Sequence, residues 1–141
     1  MFRKVLILSI GLGLLFLMTG CATAAEASTV RITAKEWAFQ PSRSSVPAGK
    51  VTFELVNQGK ITHEMVLVKT DLPAKGLAPR ADDPSTMDTA AAGQVPGEIQ
   101  NVAAGAAKTE ALTLTPGRYL LVCNQAGHYK VGMVTEFTVT T

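Results

Sequence analysis

An antiparallel β-sandwich of roughly seven or eight short strands is the fold this sequence predicts. Three observations support it. Apolar and polar residues alternate over several short runs, turns containing Pro and Gly separate those runs, and beyond residue 21 no stretch sustains a 3.6-residue period. A chain of 141 residues has room for one domain with a proper core.

The first segment stands apart from that domain. Met1-Phe2-Arg3-Lys4 is a short basic run, and Val5 to Met18 is almost wholly apolar, which together make the pattern of an export signal. Leu17-Met18-Thr19-Gly20-Cys21 resembles a bacterial lipoprotein box with Cys21 as the lipidated residue, although Met18 stands where Leu is usual. Ala22-Thr23-Ala24 offers an ordinary small-x-small cleavage site instead. The expected plan is an export signal over 1–21, a tether over 22–28 and a domain over 29–141. A lipid at Cys21 is then the one expected membrane attachment.

Within the domain, Val30, Ile32 and Ala34 alternate with polar residues, and the apolar phase then jumps to Trp37 and Phe39, which predicts a bend. Val46 to Lys50 reads as a turn. Val51 to Leu55 is a strand, Asn57-Gln58-Gly59-Lys60 a turn, and Thr62 to Lys69 a strand placing His63, Met65 and Leu67 on one face. Residues 70–97 carry four prolines, a small acidic cluster (Asp82, Asp83, Asp88) and a small-residue run, and read as a long excursion with at most a short helical turn near Ser85–Ala92. Strands resume over Glu98–Val102 and Thr109–Thr115. Pro116-Gly117 is a turn, Tyr119 to Cys123 is apolar on both faces like a central strand, and Met133 to Val139 alternates as the last strand.

Charge and cysteine usage narrow the function. Removing Arg3 and Lys4 with the leader leaves 11 basic against 11 acidic residues, so no basic surface for nucleic acid is expected. Cys123 becomes the one thiol of an exported domain, an unusual residue in an oxidising compartment. It opens the loop Cys123-Asn124-Gln125-Ala126-Gly127-His128-Tyr129-Lys130-Val131-Gly132-Met133, which sets a thiolate, an imidazole and a thioether at five-residue intervals. His63 is the only other histidine. One Cys, two His and a weak Met make the ligand set of a mononuclear blue-copper site. Taken singly, each has an ordinary reading: Cys123 as a buried thiol, His63 as a strand residue, His128 as a loop residue, Met133 as core. Met65 is a second sulfur near His63, better placed for packing.

The Cys-x4-His-x4-Met loop and Gly59-x-x-x-His63 resemble the cupredoxins, the small blue-copper proteins, and most of all the loops of rusticyanin, sulfocyanin and auracyanin. The resemblance spans about Val30 to Thr141 without the excursion. It implies a Greek-key sandwich binding one type 1 copper through His63, Cys123, His128 and Met133. It also implies one-electron transfer in the periplasm or cell envelope, by a monomer whose redox partners dock transiently near the exposed edge of His128. Ala126, Tyr129 and Val131 would form the apolar docking rim. Storage, delivery or resistance without electron carriage is the alternative. An enzyme is not expected, because no histidine remains for a second metal and the loop lacks a second Cys. The family often has Asn after its first histidine; here Glu64 is expected to brace the loop by accepting backbone N–H groups near Asn124.

Overall fold

The computed structural model describes residues 27–141. The expected export signal, Cys21 and nearly all of the tether lie outside the described residues. Nine strands follow in chain order: β1 (Ser28–Lys35), β2 (Ala38–Pro41), β3 (Ser45–Pro47), β4 (Gly49–Asn57), β5 (His63–Lys69), β6 (Gln94–Val102), β7 (Ala107–Leu114), β8 (Gly117–Val122) and β9 (Val134–Thr140). They form two sheets, one ordered β2-β1-β4-β7 and the other β3-β9-β8-β5-β6.

The β-sandwich matches the expectation, whereas its pairing is mixed rather than wholly antiparallel. β1 runs parallel to β4, from Ser28 opposite Val51 to Ala34 opposite Asn57, and β3 runs parallel to β9. The remaining pairs are antiparallel. The additional strands come from segments whose prolines favoured turns. Val46 is buried in β3, and Pro96 lies within β6. Both strands sit at sheet edges, where a residue without an N–H leaves no partner unsatisfied. The phase jump near Trp37 is a tight β1–β2 reversal, with Lys35 opposite Ala38.

Two apolar clusters divide the interior. The larger fills the space between the sheets and includes Ile32, Phe53, Leu55, Met65, Leu67, Tyr119, Leu121 and Phe137. Phe53 and Phe137 meet edge to face across it. The smaller lies on the outer face of the second sheet, where Val66 and Val68 of β5 and Leu120 and Val122 of β8 are covered by Leu77, Met87 and Ala92. β5 and β8 are therefore buried on both faces, which explains their near-continuous apolar sequence.

The covering residues belong to the connection between β5 and β6, which spans 70–93, with β6 beginning at Gln94 rather than near Glu98. No helix forms near Ser85–Ala92; turns and an isolated Pro79–Met87 bridge hold that stretch. Arg118 pins its start by donating from Nη1 to the carbonyls of Asp71 and Leu72. Among the described residues no helix is long and apolar enough to cross a membrane.

Met87 is fully buried at the centre of this outer layer. Met87→Ala should cost about 2–5 kcal/mol of stability through the cavity it leaves, read from the shift in urea midpoint at unchanged slope.

Candidate metal centre

Three segments meet at one end of the sandwich. The turn between β4 and β5 brings in His63, and Asn57 shapes that turn. Asn57, 1 % exposed, accepts the Gly59 N–H at Oδ1 (2.8 Å) and donates from Nδ2 to the carbonyls of Ile61 (2.7 Å) and Val102 (2.8 Å). With the turn fixed, β5 starts at His63 with the imidazole fully buried.

The second segment is the loop 123–133 between β8 and β9. Its ends are joined where the Cys123 N–H donates to the Met133 carbonyl (3.1 Å), and the Met133 N–H donates to the His128 carbonyl (3.0 Å). Gly127 and Gly132 have φ of +83° and +100°, a region in which a side chain would be strained. Cys123 and Met133 are both fully buried and belong to the main core cluster.

The donor atoms of His63, Cys123 and His128 all lie within 4.8 Å of one another. Cys123 Sγ is 3.2 Å from His128 Nδ1 and 3.8 Å from His63 Nδ1. Donors bound at about 2.0–2.3 Å to one ion, at near-trigonal or tetrahedral angles, stand roughly 3.3–3.8 Å apart. The spacing and chemistry of this set therefore fit a single soft-to-borderline metal ion. Met133, carried by the same loop and backbone-paired with Cys123, adds a thioether to that end of the core.

Electrostatics suit a cation. Burial pushes both histidines below their usual pKa, which keeps the imidazoles neutral and able to ligate. Burial likewise raises the Cys123 thiol, while the backbone N–H groups of Glu64 and Gln125 act in the opposite sense by stabilising the thiolate. Such donors help retain the thiolate that a metal requires.

Several neighbours were not anticipated. Glu64 accepts from the Gln125 side chain, Nε2 to Oε2 at 2.8 Å, rather than from backbone amides. Burial raises its pKa despite that bond. Asn124 is paired with the excursion: its Oδ1 accepts the Met87 N–H (2.6 Å) and its Nδ2 donates to the Met87 carbonyl (3.3 Å). The Gly127 N–H donates to the Ser85 carbonyl (2.7 Å). Tyr129 turns its hydroxyl inward, accepting from the Leu77 N–H (3.0 Å) and donating to the Ala74 carbonyl (2.9 Å). The excursion thus straps the ligand loop, a role no local sequence pattern signals.

The β1–β2 turn is the third segment. Glu36 Oε1 accepts the backbone N–H groups of Lys60 and Ile61 and lies 3.6 Å from His63 Nε2, beyond hydrogen-bond length but close enough for charge contact. The Lys60 N–H, first among several groups, lowers the Glu36 pKa and keeps it ionised. A Cβ on Gly59 would stand 2.5 Å from Glu36 Oε1, which gives the glycine of Gly59-x-x-x-His63 a physical reason. Trp37 lies edge-on to His128, with ring centroids 4.9 Å apart at 78°. His128 is only 8 % exposed, so it does not present the open edge expected from its place in a loop.

A nine-stranded sandwich with a thiol and two imidazoles converging at its rim defines a metal-site β-protein. The chain belongs to the cupredoxin-like domain family, whose profile matches residues 8–135. Solved structures of similar fold include reduced auracyanin from the photosynthetic bacterium Roseiflexus castenholzii, with TM-score 0.63, 23 % identity and coverage of 82 % of this chain and 98 % of that one. Auracyanin B has TM-score 0.60, 28 % identity and coverage of 82 % and 90 %. Auracyanin A, described as a "blue" copper protein from the green thermophilic photosynthetic bacterium Chloroflexus aurantiacus, has TM-score 0.58, 21 % identity and coverage of 81 % and 99 %. No curated protein sequence matches the chain.

Two outcomes check this geometry. In the metal-free protein the depressed histidine pKa values contribute stability above the unfolded value near 6.5, and that contribution is lost as pH falls through the folded values. The melting temperature of apoprotein should accordingly fall on acidification below about pH 6.5; this histidine contribution is absent if His63→Gln/His128→Gln apoprotein falls as steeply. Tyr129→Phe should cost about 1–3 kcal/mol by orphaning the Leu77 N–H, with chemical denaturation as the readout.

Proposed function

We propose that this protein is a mononuclear blue-copper electron carrier of the cell envelope, with copper held by His63, Cys123, His128 and Met133. The observation that carries this reading is the convergence of Sγ and two Nδ1 atoms in one buried cluster. The "blue" copper designation of auracyanin A agrees with it. Copper bound by one thiolate and two imidazoles, with a weak thioether, supplies a one-electron couple that asks for little ligand movement.

The chain's own residues supply the rest. Cys123 gives up its thiol proton on loading, and the Glu64 and Gln125 N–H groups stabilise the sulfur charge that remains. Asn57 holds the turn that aims His63, and the Asn124–Met87 pairing holds the loop that aims His128. A buried, strapped ligand set resists rearrangement between charge states, as a carrier requires.

Both histidines of the chain belong to this one centre, which argues for a carrier rather than an enzyme with a second metal. The basic-then-apolar run over residues 1–18 supports export, with Cys21 as lipid anchor or as part of a removed leader. On this reading 1–21 is the signal, 22–28 the tether and 29–141 a monomeric functional domain. Partners dock briefly at its rim, where Ala126 and Val131 are exposed. Copper holding for storage or delivery is the second reading, favoured by the burial of all three donor residues.

Loading the purified protein with one equivalent of Cu(II) should give an intense visible band and a narrow-hyperfine EPR signal, both lost in Cys123→Ser. A colourless wild type sinks the blue-copper reading. A coloured protein that cannot be cycled reversibly by one electron favours holding over transfer.

A further inference from the structure

Resting on the electron-carrier reading, we propose that Trp37, rather than His128 itself, is the port through which electrons enter and leave. The partner it fits is a one-electron redox protein presenting an apolar contact ringed by carboxylates.

The argument begins with coverage. His128 is 8 % exposed and lies edge to face against an indole that is itself 47 % exposed. A partner approaching this end therefore meets the indole before the imidazole, and Trp37 joins the two by direct ring contact. The reversal that carries Trp37 is anchored, because its other residue, Glu36, accepts the N–H groups of Lys60 and Ile61. The turn that carries Trp37 is thus tied to the segment before His63, and the indole itself packs against His128.

The surroundings indicate what docks. Four large hydrophobic residues are prominently exposed among the described residues: Trp37, Ile61, Leu72 and Val131. Three belong to the segments that build the metal centre, namely the β1–β2 turn, the turn before His63 and the ligand loop. Exposed apolar residues gathered at one functional end mark an interaction surface, and Trp is a preferred anchor at the centre of such contacts. Exposed Lys60 and Lys130 lie on the same segments, adjoining Ile61 and Val131, so the complementary partner carries acidic groups around its apolar contact. In the exchange one electron passes from the reduced partner to the copper, or back, with no proton or bond change required of Trp37.

The test uses copper-loaded full-length protein and a structurally defined acidic c-type cytochrome as the probe, with rates read by stopped flow at low and high salt. Trp37→Ala should slow the bimolecular reaction by roughly tenfold or more, the scale of losing one aromatic anchor, while the visible band and midpoint potential stay near wild type. Trp37→Phe should recover part of the rate. Leu72→Ala, at another exposed apolar residue whose carbonyl is held by Arg118 near the start of β8, should leave it unchanged. If Trp37 merely covers His128, removing it uncovers the imidazole, and an unchanged or faster rate overturns the proposal. A wild-type rate that does not fall with added salt overturns the acidic-partner assignment. Wild type without the visible band defeats the copper reading instead, independently of Trp37.

Discussion

Three groups that would each gain from water are placed together where there is almost none. The donor atoms of a thiol and two imidazoles lie within 4.8 Å of one another, and burial disfavours charge on all three groups. Without an ion, that arrangement is sustained by the rest of the fold rather than by mutual attraction. Much of the structure near this end can be understood as the means of holding the cluster. Asn57 gives its whole side chain to one turn, Cys123 and Met133 close the ligand loop through the backbone, and Glu64 is bound by Gln125.

The largest contributor is the segment 70–93. Its apolar residues make a third layer on β5 and β8, and its backbone meets the ligand loop at Asn124, Gly127 and Tyr129. Layer and strap are one device: the burial of Leu77 and Met87 fixes the same backbone whose N–H groups reach the loop. Packing energy gathered on the sheet face thereby becomes positional order at the metal end.

Much of this was legible in the sequence because it depends on local periodicity. Alternation located β1, β4, β5 and β9, and the two-sided apolar run of β8 reported burial on both faces. His63, Cys123 and His128 could be grouped because the chain has so few residues of their kind. What escaped depends on contacts distant in sequence. β3 and the start of β6 were hidden because proline argues against a strand in general but not against an edge strand. Leu77, Met87 and Ala92 are too widely spaced to show a period, so their common burial emerges only when the sheet lies beneath them. Trp37 beside His128 joins residues 91 positions apart across a turn, and no pattern within either segment announces it.

The strap also ties two equilibria together. Because 70–93 contacts the loop that carries Cys123, His128 and Met133, whatever stabilises that loop stabilises the segment, and by reciprocity the reverse holds. Occupancy of the centre and local unfolding of an outer layer then become coupled variables. A protease that first engages the 70–93 segment would therefore meet a different local stability in filled and in empty molecules.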